Sequence, residues 1–143
     1  MSVKQISVFL ENRPGALLGL TKVLAEKNVD MRAFSLAETS EFGIARIIVN
    51  DLDATAAILR DEGFVHSVTP VIAVAISNTP GGLNAALTAL SEADVNVEYM
   101  YAFIGGRRES AYMIFRVADD EKAGAVLRAK GIQLAEQEEI INL

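Results

Sequence analysis

Two short segments hold the residues with the clearest chemical potential, and they are copies of one another. Asn12-Arg13-Pro14-Gly15-Ala16-Leu17 recurs as Asn78-Thr79-Pro80-Gly81-Gly82-Leu83, an offset of 66 (78 minus 12). Each follows an alternating apolar stretch and runs into leucines at helical spacing, so each reads as a strand-to-helix turn. A helix N-terminus presents backbone N–H groups without intrahelical partners and the positive end of the helix dipole. Together these suit an anion such as a carboxylate. Gly15 and Gly81 have no Cβ, which lets a ligand approach the backbone. Asn12 and Asn78 can both donate and accept at the mouth of the turn. Fixing a carboxylate while an amine finds an acceptor is how an α-amino acid would be held. The same residues also have a structural reading, in which Asn caps the helix, Pro opens it and Gly eases the turn. On residue types alone, both readings stand.

Composition removes other chemistries. With no cysteine in 143 residues, disulfides, thiolate metal sites and cysteine nucleophiles are excluded. The single histidine, His66, leaves no histidine-based metal cluster and reads as a packing residue beside a strand. No cofactor is expected. A net charge of −6 opposes a phosphate-backbone partner, so nucleic acid is not expected. The longest unbroken apolar run, residues 71–76, is far too short to span a membrane. The N-terminal stretch lacks the apolar core and cleavage site of a signal peptide. A cytoplasmic globular protein is expected.

The turns are positioned by a duplicated framework. At the offset of 66, Leu24 meets Leu90, Val29 meets Val95 and Met31 meets Val97. Farther on, Leu59, Arg60 and Gly63 match Leu127, Arg128 and Gly131 at an offset of 68 (127 minus 59). The two extra residues fall near Gly105-Gly106-Arg107-Arg108, read as a hairpin tip, and an even insertion preserves strand parity. Two copies are expected, residues 1–69 and 70–143.

Within each copy, Ile6, Val8 and Leu10 (and Ile72, Val74 and Ile76) alternate as in a half-buried strand. Pro14 suits the first helical position, Leu17, Leu20 and Leu24 follow at helical spacing, and Asn28 ends the helix. Residues 31–39 and 42–50 read as strands joined at Ser40-Glu41. A second helix is expected over 53–63, capped by Asp53 and Gly63, then a strand over 65–69. The order β-α-β-β-α-β predicts an α+β protein. It consists of two tandem ferredoxin-like βαββαβ units, each a four-stranded antiparallel sheet with both helices on one face. The other face still carries Phe9, Ile44 and Ile48, apolar where water would favour polar side chains. Cover by the other copy or a second chain is expected, hence a homodimer. Tyr99, Tyr101 and Phe103 alternate as core or interface residues. Glu136, Glu138 and Glu139 read as charges on an exposed edge.

Asn12-Arg13-Pro14-Gly15-Ala16-Leu17-Leu18 with Asn28-Val29-Asp30-Met31, and Asn78-Thr79-Pro80-Gly81-Gly82-Leu83 with Val95-Asn96-Val97, resemble the opening of an ACT domain. The two matches cover essentially the whole chain. ACT domains are regulatory modules attached to phosphoglycerate dehydrogenase, aspartokinase and related enzymes of amino-acid metabolism. The resemblance implies βαββαβ units that bind an amino acid effector where domains meet, with no catalytic role. It implies ligand contacts from both turns and from a polar residue at the start of strand two of a neighbouring domain, here Asp30 and Asn96. In the dehydrogenase-type modules a histidine often lies two positions before the turn asparagine. Leu10 and Ile76 stand there, so serine specificity is not carried over. A carboxylate at Asp30 would hold the ligand's amine by a charge-assisted hydrogen bond, stronger than the neutral one from Asn96.

Other functions fit the topology less well. An acylphosphatase-like hydrolase would use Arg13 with Asn50, but Thr79 replaces Arg13 in copy two and the glycine-rich cradle is absent. An RNA-recognition module needs exposed aromatics in a basic setting. A stand-alone regulatory subunit acting through contacts with an amino-acid biosynthetic enzyme shares the fold and stays open. The two copies use all 143 residues, so a ligand's effect is expected to pass through a partner or through a change in packing.

Overall fold

The computed structural model describes residues 2–103 and 110–143. The alternating stretches are strands and the leucine-spaced stretches helices, in a mixed α+β arrangement with antiparallel pairing. In chain order these are β1 (Val3–Glu11), α1 (Ala16–Glu26), β2 (Met31–Glu38), β3 (Phe42–Val49), α2 (Leu52–Asp61) and β4 (His66–Ser77). There follow α3 (Gly82–Glu92), β5 (Tyr99–Ala102), β6 (Ser110–Arg116), α4 (Asp120–Ala129), β7 (Leu134–Ala135) and α5 (Gln137–Ile141). Two compact units form: Lys4–Thr69, and Pro70–Leu143 with the residues before Lys4.

In the first unit β3 lies between β1 and β2, with Ile6 opposite Ile47 and Phe34 also opposite Ile47. The Phe9 amide donates to the Val65 carbonyl at 2.9 Å, which brings the chain entering β4 alongside β1. Strand periodicity puts Ile6, Val8, Leu10, Ala45, Ile47 and Val49 on one face, where Leu20, Leu24 and Leu59 of the two helices cover them. On the other face Ile48, Gln5 and Ser7 are buried too, while Phe9 is 41% exposed. Gln5 Nε2 donates to Ser7 Oγ at 3.0 Å, as a buried amide must find a partner.

In the second unit β6 lies between β4 and β5, and β7 pairs β4 through Ala73 and Val74. Ile72, Val74, Ile76, Phe115 and Val117 pack against Ala86, Leu90, Ala123 and Leu127 of α3 and α4. Phe103 and Tyr112 meet edge-on, their ring centroids 6.2 Å apart.

The four long helices end alike. The amides of Val29, Phe64, Val95 and Ile132 each reach back five residues, to Leu24, Leu59, Leu90 and Leu127. The residue before each of them has positive φ: Asn28, Gly63, Asp94 and Gly131. This is the Schellman closure, which consumes otherwise orphaned carbonyls. The expected ends at Asn28 and Gly63 are therefore observed. The starts differ more from expectation. Asp51, not Asp53, caps α2, accepting from the Ala54 amide at 3.1 Å. Asp119 caps α4 in the same way, at 3.0 Å from the Lys122 amide. Asp51→Ala and Asp119→Ala should each cost about 1 kcal/mol, with Asn retaining most of the cap; urea melts of the four variants check this.

Two further expectations change. The strand expected over 65–69 does not stop at Pro70 but runs on as β4, because Pro70 serves through its carbonyl, which accepts from Arg116 Nη1 at 3.0 Å. The terminal glutamates build α5 rather than an edge, with Glu136 and Glu139 forming a reciprocal capping box. The tip at Gly105-Gly106-Arg107-Arg108 lies outside the described residues.

Candidate functional site

In neither copy does proline open the helix. α1 starts at Ala16 and α3 at Gly82, each preceded by a left-handed glycine, Gly15 at φ 84° and Gly81 at φ 89°. L side chains rarely adopt this conformation, so glycine is demanded by the backbone there. Pro14 and Pro80 sit one residue earlier, in the turn itself. Neither helix has a side-chain cap, so the capping part of the structural reading of Asn12 and Asn78 is not observed. In α1 the Ala16 amide bonds the Arg13 carbonyl at 3.3 Å and the Gly19 amide bonds the Gly15 carbonyl at 2.9 Å. The amides of Leu17 and Leu18 remain among the orphan donors of the first turn. In α3 the matching bonds are Gly82 to Thr79 at 3.1 Å and Ala85 to Gly81 at 3.0 Å.

Asn12 faces away from the helix. Its Nδ2 donates to the Thr39 carbonyl at 2.8 Å and to Glu38 Oε2 at 3.4 Å. Its backbone amide donates to the Glu41 carbonyl at 3.1 Å. The turn is thus tied to the β2–β3 hairpin tip, and Asn12 Oδ1 is the polar atom of that side chain left uncommitted. Glu38 and Thr39 escaped sequence reasoning because a contact across 27 residues leaves no local pattern. Arg13 Nε pairs with Glu11 Oε2 at 2.7 Å, both largely exposed. In copy two, Ser77 Oγ and Thr79 Oγ1 share a hydrogen bond of 2.8 Å in the same turn. Asn12, Arg13, Pro14, Gly15, Asn78, Thr79, Pro80, Gly81 and Leu83 are exposed, and Ala16, Leu17 and Gly82 half-buried.

Asp30 and Asn96 lie elsewhere. Each follows the C-terminus of α1 or α3, while the turn precedes the N-terminus. An eleven-residue helix, about 16 Å long, separates them within a unit. Asp30 Oδ2 pairs with Arg32 at 3.1 Å, and its amide donates to Asn50 Oδ1 at 3.2 Å. Asn96 lines an open cleft of about 570 Å³ with Asp94, Glu98, Asp119 and Lys122. Asn50 therefore sits with Asp30, at the far end of α1 from Arg13, and the pair an acylphosphatase would need is not assembled. A smaller cleft of about 230 Å³, lined by Ala37, Glu38, Thr39, Phe42, Ile44 and Arg46, shares Glu38 and Thr39 with the Asn12 contact. Among the described residues no group of three or more His, Cys, Asp or Glu is arranged to hold a metal. No helix among them is long and apolar enough to cross a membrane.

A family model described as "ACT domain pair" matches residues 1–143. Protein BT0572 from Bacteroides thetaiotaomicron, known from a crystal structure, is 36% identical, with a TM-score of 0.92 over 100% of this chain and 98% of that one. The ligand-free regulatory subunit of aspartate kinase from Thermus thermophilus superposes with a TM-score of 0.64 at 18% identity, over 90% of each chain. The corresponding subunit from Thermus flavus gives 0.59 at 20% identity, over 88% of each chain. These two share the fold. No curated protein matches.

Proposed function

The chain belongs to the ACT domain pair family, and from that premise we propose that it is a regulatory protein, not an enzyme, that binds an amino acid effector at its two strand-to-helix turns. Residues 1–69 and 70–143 are then the two ACT units, each a four-stranded βαββαβ module, with β4 supplying the last strand of one and the first of the next. The protein works in the cytoplasm as a homodimer and passes its signal to an amino-acid metabolic enzyme.

One observation carries the reading: at the first turn the donors and the acceptor are already sorted. The orphan amides of α1 suit the carboxylate. Asn12 has spent its Nδ2 hydrogens on Thr39 and Glu38, so Oδ1 is what it offers, and that suits an ammonium. Arg13, Pro14, Gly15, Ala16 and Leu17 shape the first turn, and Asn78, Thr79, Pro80, Gly81, Gly82 and Leu83 the second. Asp30 and Asn96 approach from a neighbouring unit.

A thermal-shift screen of the common amino acids tests this. An effector at a hundred times its dissociation constant should add about 2.7 kcal/mol of stability. By calorimetry Asp30→Asn should weaken binding about tenfold for loss of one charge-assisted bond. If no amino acid moves the melting temperature, or if Asp30→Asn and Asn96→Ala both bind as the parent does, the site assignment is wrong.

A further inference from the structure

We propose that the first unit carries a further small-molecule site, on the sheet face turned away from α1 and α2, that takes a small aromatic carboxylate and needs no amine. Strand register lays this face out in rows. Phe9, Ile44 and Ala37 stand side by side across β1, β3 and β2, and Ser7, Arg46 and Ser35 form the next row. The cleft of about 230 Å³ opens over the β2–β3 part of these rows, with Ala37, Thr39, Phe42, Ile44 and Arg46 in its lining.

The duplicate shows what closes the same place. Ser35 and Ala37 correspond to Tyr101 and Phe103 at the offset of 66 (103 minus 37), and Ile44 and Arg46 to Tyr112 and Ile114 at 68 (112 minus 44). Strand pairing agrees, since Tyr101 stands opposite Ile114 as Ser35 stands opposite Arg46. In the second unit the rings of Phe103 and Tyr112 meet edge-on, 6.2 Å apart, and Tyr101, Phe103 and Ile114 are all buried. In the first unit Ala37 takes the place of one ring and Ser35 of another, which leaves room for an aromatic side chain. A guanidinium stands where the second unit has a fully buried isoleucine.

That exchange of isoleucine for arginine sets the chemistry of the occupant. Arg46 offers a planar, permanently charged fork of donors, which suits a carboxylate. Phe42 and Ile44, the preceding residues of β3 on the same face, make the apolar wall. Phe42 is 44% exposed, so a ring lying against it removes apolar surface from water. Alternate residues of one strand are roughly 7 Å apart, a span that a ring with a short linker to its acid group covers. The rim is already fixed. The Thr39 amide donates to the Phe42 carbonyl at 2.8 Å. Thr39 Oγ1 donates to the same carbonyl at 3.0 Å and accepts from the Phe42 amide at 3.2 Å. Little order is therefore lost on binding. Among the described residues Glu38 is the carboxylate that lines the cleft. Its Oε2 already accepts from Asn12 Nδ2, so an amine on the ligand gains little.

NMR titration of the ¹⁵N-labelled chain with 3-phenylpropanoate tests the site. The amides of Ala37, Phe42 and Ile44 and the Arg46 Nε–H should shift, while the amides of Gly15 and Ala16 stay in place. 3-Phenylpropan-1-ol, which lacks the acid, should bind about tenfold more weakly, and so should 3-phenylpropanoate to Arg46→Gln. Ala37→Phe supplies the ring found in the second unit and should abolish binding while the rest of the spectrum is kept. The site is overturned by an absence of shifts at millimolar 3-phenylpropanoate, or by shifts confined to Gly15 and Ala16. Equal binding of the alcohol, or an Ala37→Phe variant that binds as the parent does, overturns it as well. The amino acid screen reads the two turns separately, so either site can fail while the other stands.

Discussion

Gly82→Ala should lower the stability of the protein by about 3 kcal/mol and its melting temperature by roughly 10 °C. A Cβ at this position would lie 2.1 Å from the Ser77 carbonyl oxygen, 3.1 Å from its carbon and 3.0 Å from Ile76 Cγ2. The first obstacle is backbone at the end of β4, so no rotamer change relieves it. Either α3 lifts from the sheet or the turn opens. The matching position in the first unit is Ala16, which already carries a Cβ, so Ala16→Gly should cost no more than about 1 kcal/mol. Thermal and urea unfolding of the two variants give the comparison. Equal losses would mean that the two turns are packed alike and that the close approach is not what selects glycine.

Phe115→Ala should cost about 4 kcal/mol. Phe115 is fully buried and stands among Ile72 and Val74 of β4, Leu90 of α3, Leu127 of α4, and Val117 just beyond β6. Removing its ring leaves a cavity that β4, α3 and α4 would have to collapse to fill. Phe9→Ala is the internal control: with 41% of Phe9 exposed, its loss should be well under half as large. Chemical denaturation of both variants measures the ratio, and a ratio near one would place the core elsewhere.

Much of this organisation was legible because it is written in local periodicity. Alternation at Ile6, Val8 and Leu10 and the leucine spacing of α1 gave the elements, and Asn28 and Gly63 gave the helix ends. What escaped depends on competition or on distance. Asp51 and Asp53 are two carboxylates within three residues, and pattern alone does not say which one faces the Ala54 amide. The strands read separately over 65–69 and around Ile72, Val74 and Ile76 are one continuous β4, although the two units divide between Thr69 and Pro70. The turns were legible as glycine turns and the glycine conformations agree. The true partners of Asn12, by contrast, lie 26 and 27 residues away at Glu38 and Thr39. Nothing in the spacing of Asn12-Arg13-Pro14-Gly15 pointed there.

If the turn holds an effector as proposed, that long-range tie would make it selective in a way that a bare helix N-terminus is not. Backbone amides alone would welcome any small acid, deaminated or not. With both its hydrogens turned toward the hairpin tip, Asn12 presents a lone pair instead, and a 2-oxo acid has no proton to give it. On that reading the clasp would act as a filter for nitrogen: a keto analogue that pried Nδ2 loose would have to unfasten Thr39 and Glu38 as well, exchanging two intact bonds for one.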